Sequence, residues 1–273
     1  MAHIGVIQWM TEQGYSIRSI AGSSMGALVG GIHAARKLEV YTEWVLALER
    51  LQVLRLLDPT FGRAGLFKGE RIMAVLRELI GECAIETLPI TFTAVATDLD
   101  SGQEVWLNEG PLFDAIRASI ATPLVFTPFK LGQRTLLDGA LVNPLPIAPT
   151  LSDATDLTVA VDLSGPAQAE AAPSAPEPTP QGNGYRRRVR EFVESLQPAR
   201  VPVAAQPGLL DVAFVSMQAM QDTISRLRLA TYSPDVTVEI PRNACGFHEF
   251  WRAEELIALG RERAAQAFAR AAR

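Results

Sequence analysis

The segment that most constrains the fold is a Gly-x-Ser-x-Gly pattern in which Gly22 and Gly26 flank Ser24. A short apolar and β-branched run, residues 16–20, precedes it, and a run of small and apolar residues, 25–35, follows. A strand that turns sharply into a helix is the context in which this pattern forms a nucleophile elbow. We expect a strained backbone at the serine, and glycine at both flanking positions because a Cβ there would collide with the neighbouring strand or helix. The sequence therefore predicts a serine nucleophile, the alternative being a glycine-rich turn before a helix.

A carboxylate at the end of a later strand is the second constraining feature. Asp138 follows the strand-like residues 134–137 and is followed at once by Gly139 and Ala140. In open α/β sheets, functional sites are built at the carboxyl ends of the strands. Asp138 is therefore the candidate partner of Ser24, and a simple Asp-Gly turn is the alternative.

The identity of the base remains open between two arrangements. Serine is a weak nucleophile unless a base takes its proton, and the chain has three histidines, His3, His33 and His248. His248 follows Ser24 and Asp138 in the Ser…Asp…His order of α/β-hydrolases, which is one possibility. The other is a dyad in which the aspartate alone, its proton affinity raised by partial burial, activates the serine.

Composition excludes several classes of protein. With 48% hydrophobic and 20% charged residues, the 273-residue chain is typical of globular proteins, and its net charge of −5 argues against nucleic acid as a partner. Cys83 and Cys245 lie far apart, which predicts neither a disulfide framework nor a zinc site and favours a reducing cytoplasm. No apolar run approaches the roughly 20 residues of a membrane span. We expect a cytoplasmic protein, with peripheral contact at the inner membrane surface as the further option.

The sequence predicts both helices and strands along the chain. The pattern predicts helices from Ala2 to near Gly14 and over 25–35, 38–57, 70–80, 112–121, 209–230 and 253–273, and strands over 16–20, 90–97, 103–107, 125–130, 134–137, 157–163 and 236–240. A Pro/Ala-rich stretch predicts a flexible insertion at about 165–205 within a single domain, residues 1–273. The basic run 186–190 inside it is either a solvated helix face or a contact for anionic lipid head groups.

With these motifs in order, the chain resembles the patatin-like phospholipase family, particularly its small bacterial members. Gly22-Ser23-Ser24-Met25-Gly26 is similar to the family's nucleophile elbow, and Asp138-Gly139-Ala140 to its Asp-Gly-Ala/Gly motif. Residues 2–7, 96–99 and 117–123 are further family-like segments. Two motifs in the right order at a plausible separation make the resemblance far more specific than either motif alone.

The resemblance implies a three-layer α/β/α sandwich with a mostly parallel central sheet. It also implies hydrolysis of acyl esters, typically of phospholipids or lysophospholipids, without a metal or cofactor. Ser24 would be the nucleophile and Asp138 the sole base of a dyad, passing through an acyl-enzyme. The backbone N–H of Met25 would be an oxyanion donor, since the residue after the nucleophile supplies one in such elbows.

The sequence departs from the family at the start of the chain. The family's glycine-rich segment, whose backbone N–H groups form its oxyanion hole, precedes the helix that begins here at Ala2, and residues 1–273 do not include it. We therefore expect the natural protein to start further upstream, with Met1 an internal methionine or a mis-assigned start. The same departure keeps a third possibility open, a lipid-binding or regulatory protein with the hydrolase fold and little turnover.

Overall fold

The computed structural model describes residues 1–49, 52–53, 56, 58–60, 65–167, 208–245 and 250–272. Those within Met1–Gln168 and Met217–Arg273 belong to one compact unit. A second unit is Ala169–Ser216, of which the structure describes residues 208–216. Most of the predicted insertion at 165–205, the basic run 186–190 and the candidate base His248 lie outside the described residues.

The described elements include both helices and strands. The helices are α1 (Ala2–Glu12), α2 (Met25–Ala34), α3 (Leu38–Leu46), α4 (Glu70–Ile80), α5 (Leu112–Ser119), α6 (Leu209–Tyr232) and α7 (Ala253–Ala271). The strands are β1 (Ser19–Ser23), β2 (Thr91–Asp98), β3 (Glu104–Leu107), β4 (Phe129–Leu131), β5 (Arg134–Asp138), β6 (Val159–Gly165) and β7 (Val236–Pro241). None of the described helices combines the length and the apolarity that crossing a bilayer requires.

Three predicted elements differ from the observed ones by three residues or more at one end or both. Strand β1 lies three residues later than predicted, because pairing with β2 continues up to the elbow itself. Helix α3 ends at Leu46 rather than residue 57, and its end tightens into a turn in which Leu48 N–H donates to Val45 O. The strand predicted over 125–130 is shortened to β4, because Val125 O instead accepts the N–H groups of residues 66 and 67.

The five strands β1–β5 form one mixed sheet around β2, and the α/β sandwich predicted for the chain is confirmed. β1 pairs with β2 in parallel, while β2–β3, β2–β5 and β4–β5 are antiparallel. Strands β6 and β7 form a separate parallel pair. Helices α2 and α5 pack on the larger sheet, and α2 is buried along most of its length, as expected for a helix that is apolar on all sides.

The register of β2 places the ends of two strands head to head. Ala94 and Val95 pair with both β1 and β3, so those strands occupy opposite edges of β2. Ala96 pairs with both β3 and β5, so β5 shares an edge with β1. β1 ends at Ser23, opposite Val95, and β5 runs the other way and ends at Asp138, opposite Ala96. The carboxyl ends of β1 and β5 therefore meet on one edge of β2.

Helices α1 and α7 approach each other through two glycines. A Cβ built on Gly5 would lie 2.0 Å from Ile257 O, and one built on Gly260 would lie 2.0 Å from Ala2 O. Both neighbours are backbone atoms, so no side-chain rotation would make room. The first and last helices of the chain therefore depend on glycine at this crossing.

We expect Gly260→Ala to lower the free energy of unfolding by about 1–3 kcal/mol, because the added methyl group overpacks a backbone contact. Urea denaturation monitored by circular dichroism measures the change. The matched control is Gly26→Ala, also within a helix, where the nearest heavy atom to a built Cβ is 3.8 Å away. Equal urea midpoints for Gly260→Ala and the parent chain would contradict the close crossing of α1 and α7.

Candidate active site

The elbow joins β1 to α2 through a single residue. Ser24 lies between the last residue of β1 and the first residue of α2, with φ 52° and ψ −120°. A positive φ in a residue other than glycine is a strained conformation that costs about 1–3 kcal/mol. A Cβ on Gly22 would lie 2.3 Å from the carbonyl carbon of Gly26, so glycine at position 22 is what lets the turn close.

Glycine at position 26 does not have the steric role that the sequence predicted. A Cβ built there would meet His3 Nε2 at 3.8 Å, an ordinary van der Waals distance. The close approach in this turn is between the backbones of residues 22 and 26, and Gly22 alone makes the space for it. The expectation that both glycines avoid a collision is right for Gly22 and wrong for Gly26.

Hydrogen bonds fix the strained serine to the sheet. The Ser24 N–H donates to Ser119 Oγ at 3.0 Å, and the Ser119 hydroxyl donates to Val95 O at 2.6 Å. The neighbouring Ser23 hydroxyl donates to Asn143 O at 2.6 Å. Ser119 is fully buried, so these bonds are shielded from competing water. The elbow is therefore anchored both to β2 and to the segment that follows β5.

The serine hydroxyl contacts the carboxylate that the sequence singled out. Ser24 Oγ donates to Asp138 Oδ2 at 2.8 Å. Thr122 Oγ1 donates to the same oxygen at 2.6 Å, and the Ala140 N–H donates to Oδ1 at 2.9 Å. Asp138 is 2% exposed, so hydrogen bonds within the protein replace the water that a carboxylate normally binds.

The main chain around the aspartate is held equally firmly. The Asp138 N–H donates to Ala121 O at 3.0 Å, and its carbonyl accepts from Thr97 Oγ1 at 2.8 Å. A Cβ on Gly139 would lie 2.0 Å from Val95 O, so only glycine fits where the chain leaves β5. The Asp-Gly pair thus aims the carboxylate across the end of β1, in addition to forming a turn.

Burial raises the pKa of Asp138, and the hydrogen bonds from Thr122, Ala140 and Ser24 oppose that rise. Burial disfavours the ionised form because the charge loses its hydration. A carboxylate with a raised pKa has a higher proton affinity than an ordinary aspartate, which is the property a general base for a serine hydroxyl needs.

The start of α2 is positioned to stabilise negative charge. The first N–H groups of a helix have no partner within it, and the positive end of the helix dipole lies there. Helix α2 begins at Met25, directly after the serine, whereas the N–H of Ser24 already donates to Ser119. The Met25 N–H, at the first position of the helix, is therefore a candidate donor to a developing oxyanion.

Neither described histidine serves the serine. Burial lowers the pKa of His3 to about 3 and that of His33 to about 4, so both are neutral at pH 7. Among the described residues, the hydrogen-bond partner of the Ser24 hydroxyl is Asp138 alone. In the part of the chain that the structure describes, no group of three or more His, Cys, Asp or Glu side chains is arranged to hold a metal ion.

Sequence reasoning missed Ser119 and Thr122, which contact the two candidate catalytic residues directly. Both lie in the family-like segment 117–123, whose hydroxyl groups have no role in the sequence-based prediction. The sequence shows only two hydroxyl residues near the end of an apolar helix, just before Pro123, and this pattern does not reveal the partner of either hydroxyl.

Comparisons with known proteins agree on one family. The model of the patatin-like phospholipase family matches residues 1–151. An uncharacterized NTE family protein of Mycobacterium tuberculosis is 40% identical over 97% of this chain and 87% of its own length. A second NTE family protein from that organism is 30% identical over 60% of this chain and 28% of its own length. Neuropathy target esterase of Drosophila virilis is 30% identical over 53% of this chain and 10% of its own length.

We expect Asp138→Asn to raise the melting temperature at pH 8, with the gain shrinking as the pH falls towards 4. An aspartate whose pKa is higher folded than unfolded binds more protons when folded, so its ionisation costs stability as the pH rises through the folded pKa. Asparagine has no proton to lose, and its NH₂ group can donate to the hydroxyls of Thr122 and Ser24 while its carbonyl accepts from Ala140.

Differential scanning fluorimetry of the parent and Asp138→Asn chains across this pH range measures the effect. A lower melting temperature for the variant at pH 8 would show that the buried carboxylate stabilises the fold, contrary to the burial argument.

Proposed function

The chain belongs to the patatin-like phospholipase family, and we propose that it hydrolyses lipid acyl esters through a Ser24–Asp138 dyad and an acyl-enzyme. The observation that carries the proposal is the 2.8 Å hydrogen bond from the Ser24 hydroxyl directly to the buried Asp138 carboxylate. A nucleophile in hydrogen-bond contact with its base is the geometry that activated serine requires. Phospholipid or lysophospholipid is the substrate class that the family favours.

In the first stage, Ser24 Oγ attacks the ester carbonyl carbon while its proton passes to Asp138 Oδ2. The carbonyl electron pair moves onto oxygen, and the Met25 N–H at the start of α2 stabilises the resulting charge. Collapse of this intermediate breaks the bond to the alcohol oxygen, which leaves with the proton held by Asp138. The acyl group remains as an ester on Ser24.

In the second stage, a water molecule gives its proton to Asp138 and attacks the acyl carbon. Collapse then returns the proton to Ser24 Oγ and releases the fatty acid. One carboxylate serves both stages because Oδ2 accepts a proton and gives one up in each of them, first from Ser24 to the alcohol and then from water to Ser24.

Two features support the aspartate as the base acting directly on serine. Its burial raises its proton affinity, and the strained backbone of Ser24 holds the hydroxyl towards it. In a Ser-His-Asp arrangement, an imidazole would stand between the serine and the aspartate. Here the two side chains are already in direct contact, which leaves no space between them for a ring.

We expect Ser24→Ala and Asp138→Asn each to lower kcat/KM for p-nitrophenyl butyrate at least about 10³-fold, because each removes one half of the proton-transfer pair. The same variants should lose covalent labelling by a fluorophosphonate probe. His248→Ala should retain both the ester turnover and the probe labelling if the dyad works without histidine.

The chain offers a matched control for this experiment. The Ser19 hydroxyl donates to Asp153 Oδ2 at 2.5 Å, a serine–aspartate contact like that of the proposed dyad but at the other end of β1. Ser19→Ala and Asp153→Asn should leave the turnover unchanged.

Labelling that survives Ser24→Ala would overturn the proposal. Vesicle binding without fatty-acid release by the parent chain would favour a lipid-binding protein instead.

A further inference from the structure

The Oδ2 atom of Asp138 accepts two hydroxyl hydrogen bonds, only one of which comes from the proposed nucleophile. Thr122 Oγ1 donates the other at 2.6 Å, shorter than the 2.8 Å bond from Ser24. We propose that Thr122 is a positioning residue that keeps Asp138 Oδ2 ionised and aimed at Ser24. This inference rests on the proposed dyad and adds to it a residue that acts through the base and does not contact the substrate's reacting atoms.

The backbone holds the threonine in place independently of the aspartate. Thr122 follows α5, where its N–H donates to Ile120 O at 2.7 Å and its carbonyl accepts from Val125 at 3.2 Å and Phe126 at 2.9 Å. The adjacent Ala121 carbonyl accepts the Asp138 N–H. Residues 121 and 122 therefore hold both the main chain and the carboxylate of the same aspartate.

The hydroxyl has one proton to donate, and its geometry favours the carboxylate as acceptor. Its alternative acceptor, Ile120 O, lies at 3.4 Å, compared with 2.6 Å for Asp138 Oδ2. A hydrogen bond to an ionised acceptor is also stronger than one to a neutral carbonyl. Thr122 is 9% exposed, so water does not readily replace this donor.

The bond favours one protonation state of Asp138. A donor to Oδ2 stabilises the carboxylate more than the neutral acid, which opposes the rise in pKa that burial produces. Without it, more of the aspartate would be protonated at a given acidic pH and unable to accept the Ser24 proton. Loss of this bond would also change the geometry, because Ser24 would then be the only hydroxyl that holds Oδ2 in place.

Charged and titratable side chains on the elements around Asp138 are occupied elsewhere. Arg117 of α5 donates to Lys68 O and Thr127 O, and Glu104 of β3 accepts from Asn143 and Arg228. Asp98 of β2 accepts the N–H groups of residues 100 and 101 and lies 3.8 Å from Arg134 of β5.

The nearby histidines carry no charge at neutral pH: His33 of α2 and His3 of α1 are both neutral at pH 7. The groups that act on the pKa of Asp138 are its burial, Thr122, Ala140 and Ser24.

The test is the pH dependence of fluorophosphonate labelling of the full chain, measured as a second-order rate constant. We expect Thr122→Val, which removes the hydroxyl and keeps the shape, to move the acidic limb of the profile up by about one pH unit, the size of a hydrogen bond to a charged group. Thr122→Ser should restore the parent profile because it keeps the donor.

Two controls separate this role from a structural one. Thr42 is a buried threonine whose hydroxyl donates to Leu38 O within α3, so Thr42→Val should leave the profile unmoved. Circular dichroism shows whether each variant is folded, and Thr122→Ala replaces Thr122→Val if the latter is not.

The outcomes also distinguish this inference from the proposed function. An unshifted profile in folded Thr122→Val and Thr122→Ala, with labelling abolished by Ser24→Ala, would overturn the role of Thr122 and leave the dyad intact. A shift in the valine variant that serine does not reverse would likewise overturn it. Labelling that persists in Ser24→Ala and Asp138→Asn would overturn the dyad itself.

Discussion

The structure of the site depends on a head-to-head meeting of two strands along one edge of β2. The parallel strand β1 and the antiparallel strand β5 approach each other on that edge and end at adjacent positions of β2, Val95 and Ala96. Their carboxyl ends therefore deliver Ser24 and Asp138 to the same point, although 114 residues separate them. Gly139 is required there, because no side chain fits between the end of β5 and Val95 O.

This arrangement lowers the stability of the fold at both residues, and surrounding hydroxyl groups offset part of that loss. The backbone of Ser24 is strained, and burial of Asp138 removes most of the water from its carboxylate. Ser119 accepts the N–H of the strained serine, and Thr122 donates to the buried carboxylate. Local strain and a buried ionisable group are both typical of functional sites, where stability is exchanged for reactivity.

Sequence reasoning identified the two residues that meet, because each carries a local signal. Ser24 lies in a strand–turn–helix pattern, and Asp138 lies at a strand end followed by glycine. It was wrong about Gly26, because spacing alone does not reveal that Gly22 makes all the space for the turn. It gave no role to Ser119 or Thr122, because a hydroxyl in a helix or turn has no local pattern that distinguishes a structural bond from contact with a distant residue.

The sequence by itself determined the order of helices and strands, the elbow and the family. These depend on hydrophobic periodicity, turn residues and short motifs, which act between neighbours along the chain. Only the tertiary structure decided that β5 shares an edge of β2 with β1, that Asp138 is buried, and that Thr122 donates to its carboxylate. Strand pairing, burial and hydrogen bonding between distant residues depend on how the elements pack, and the local pattern of a single segment contains no record of its partners.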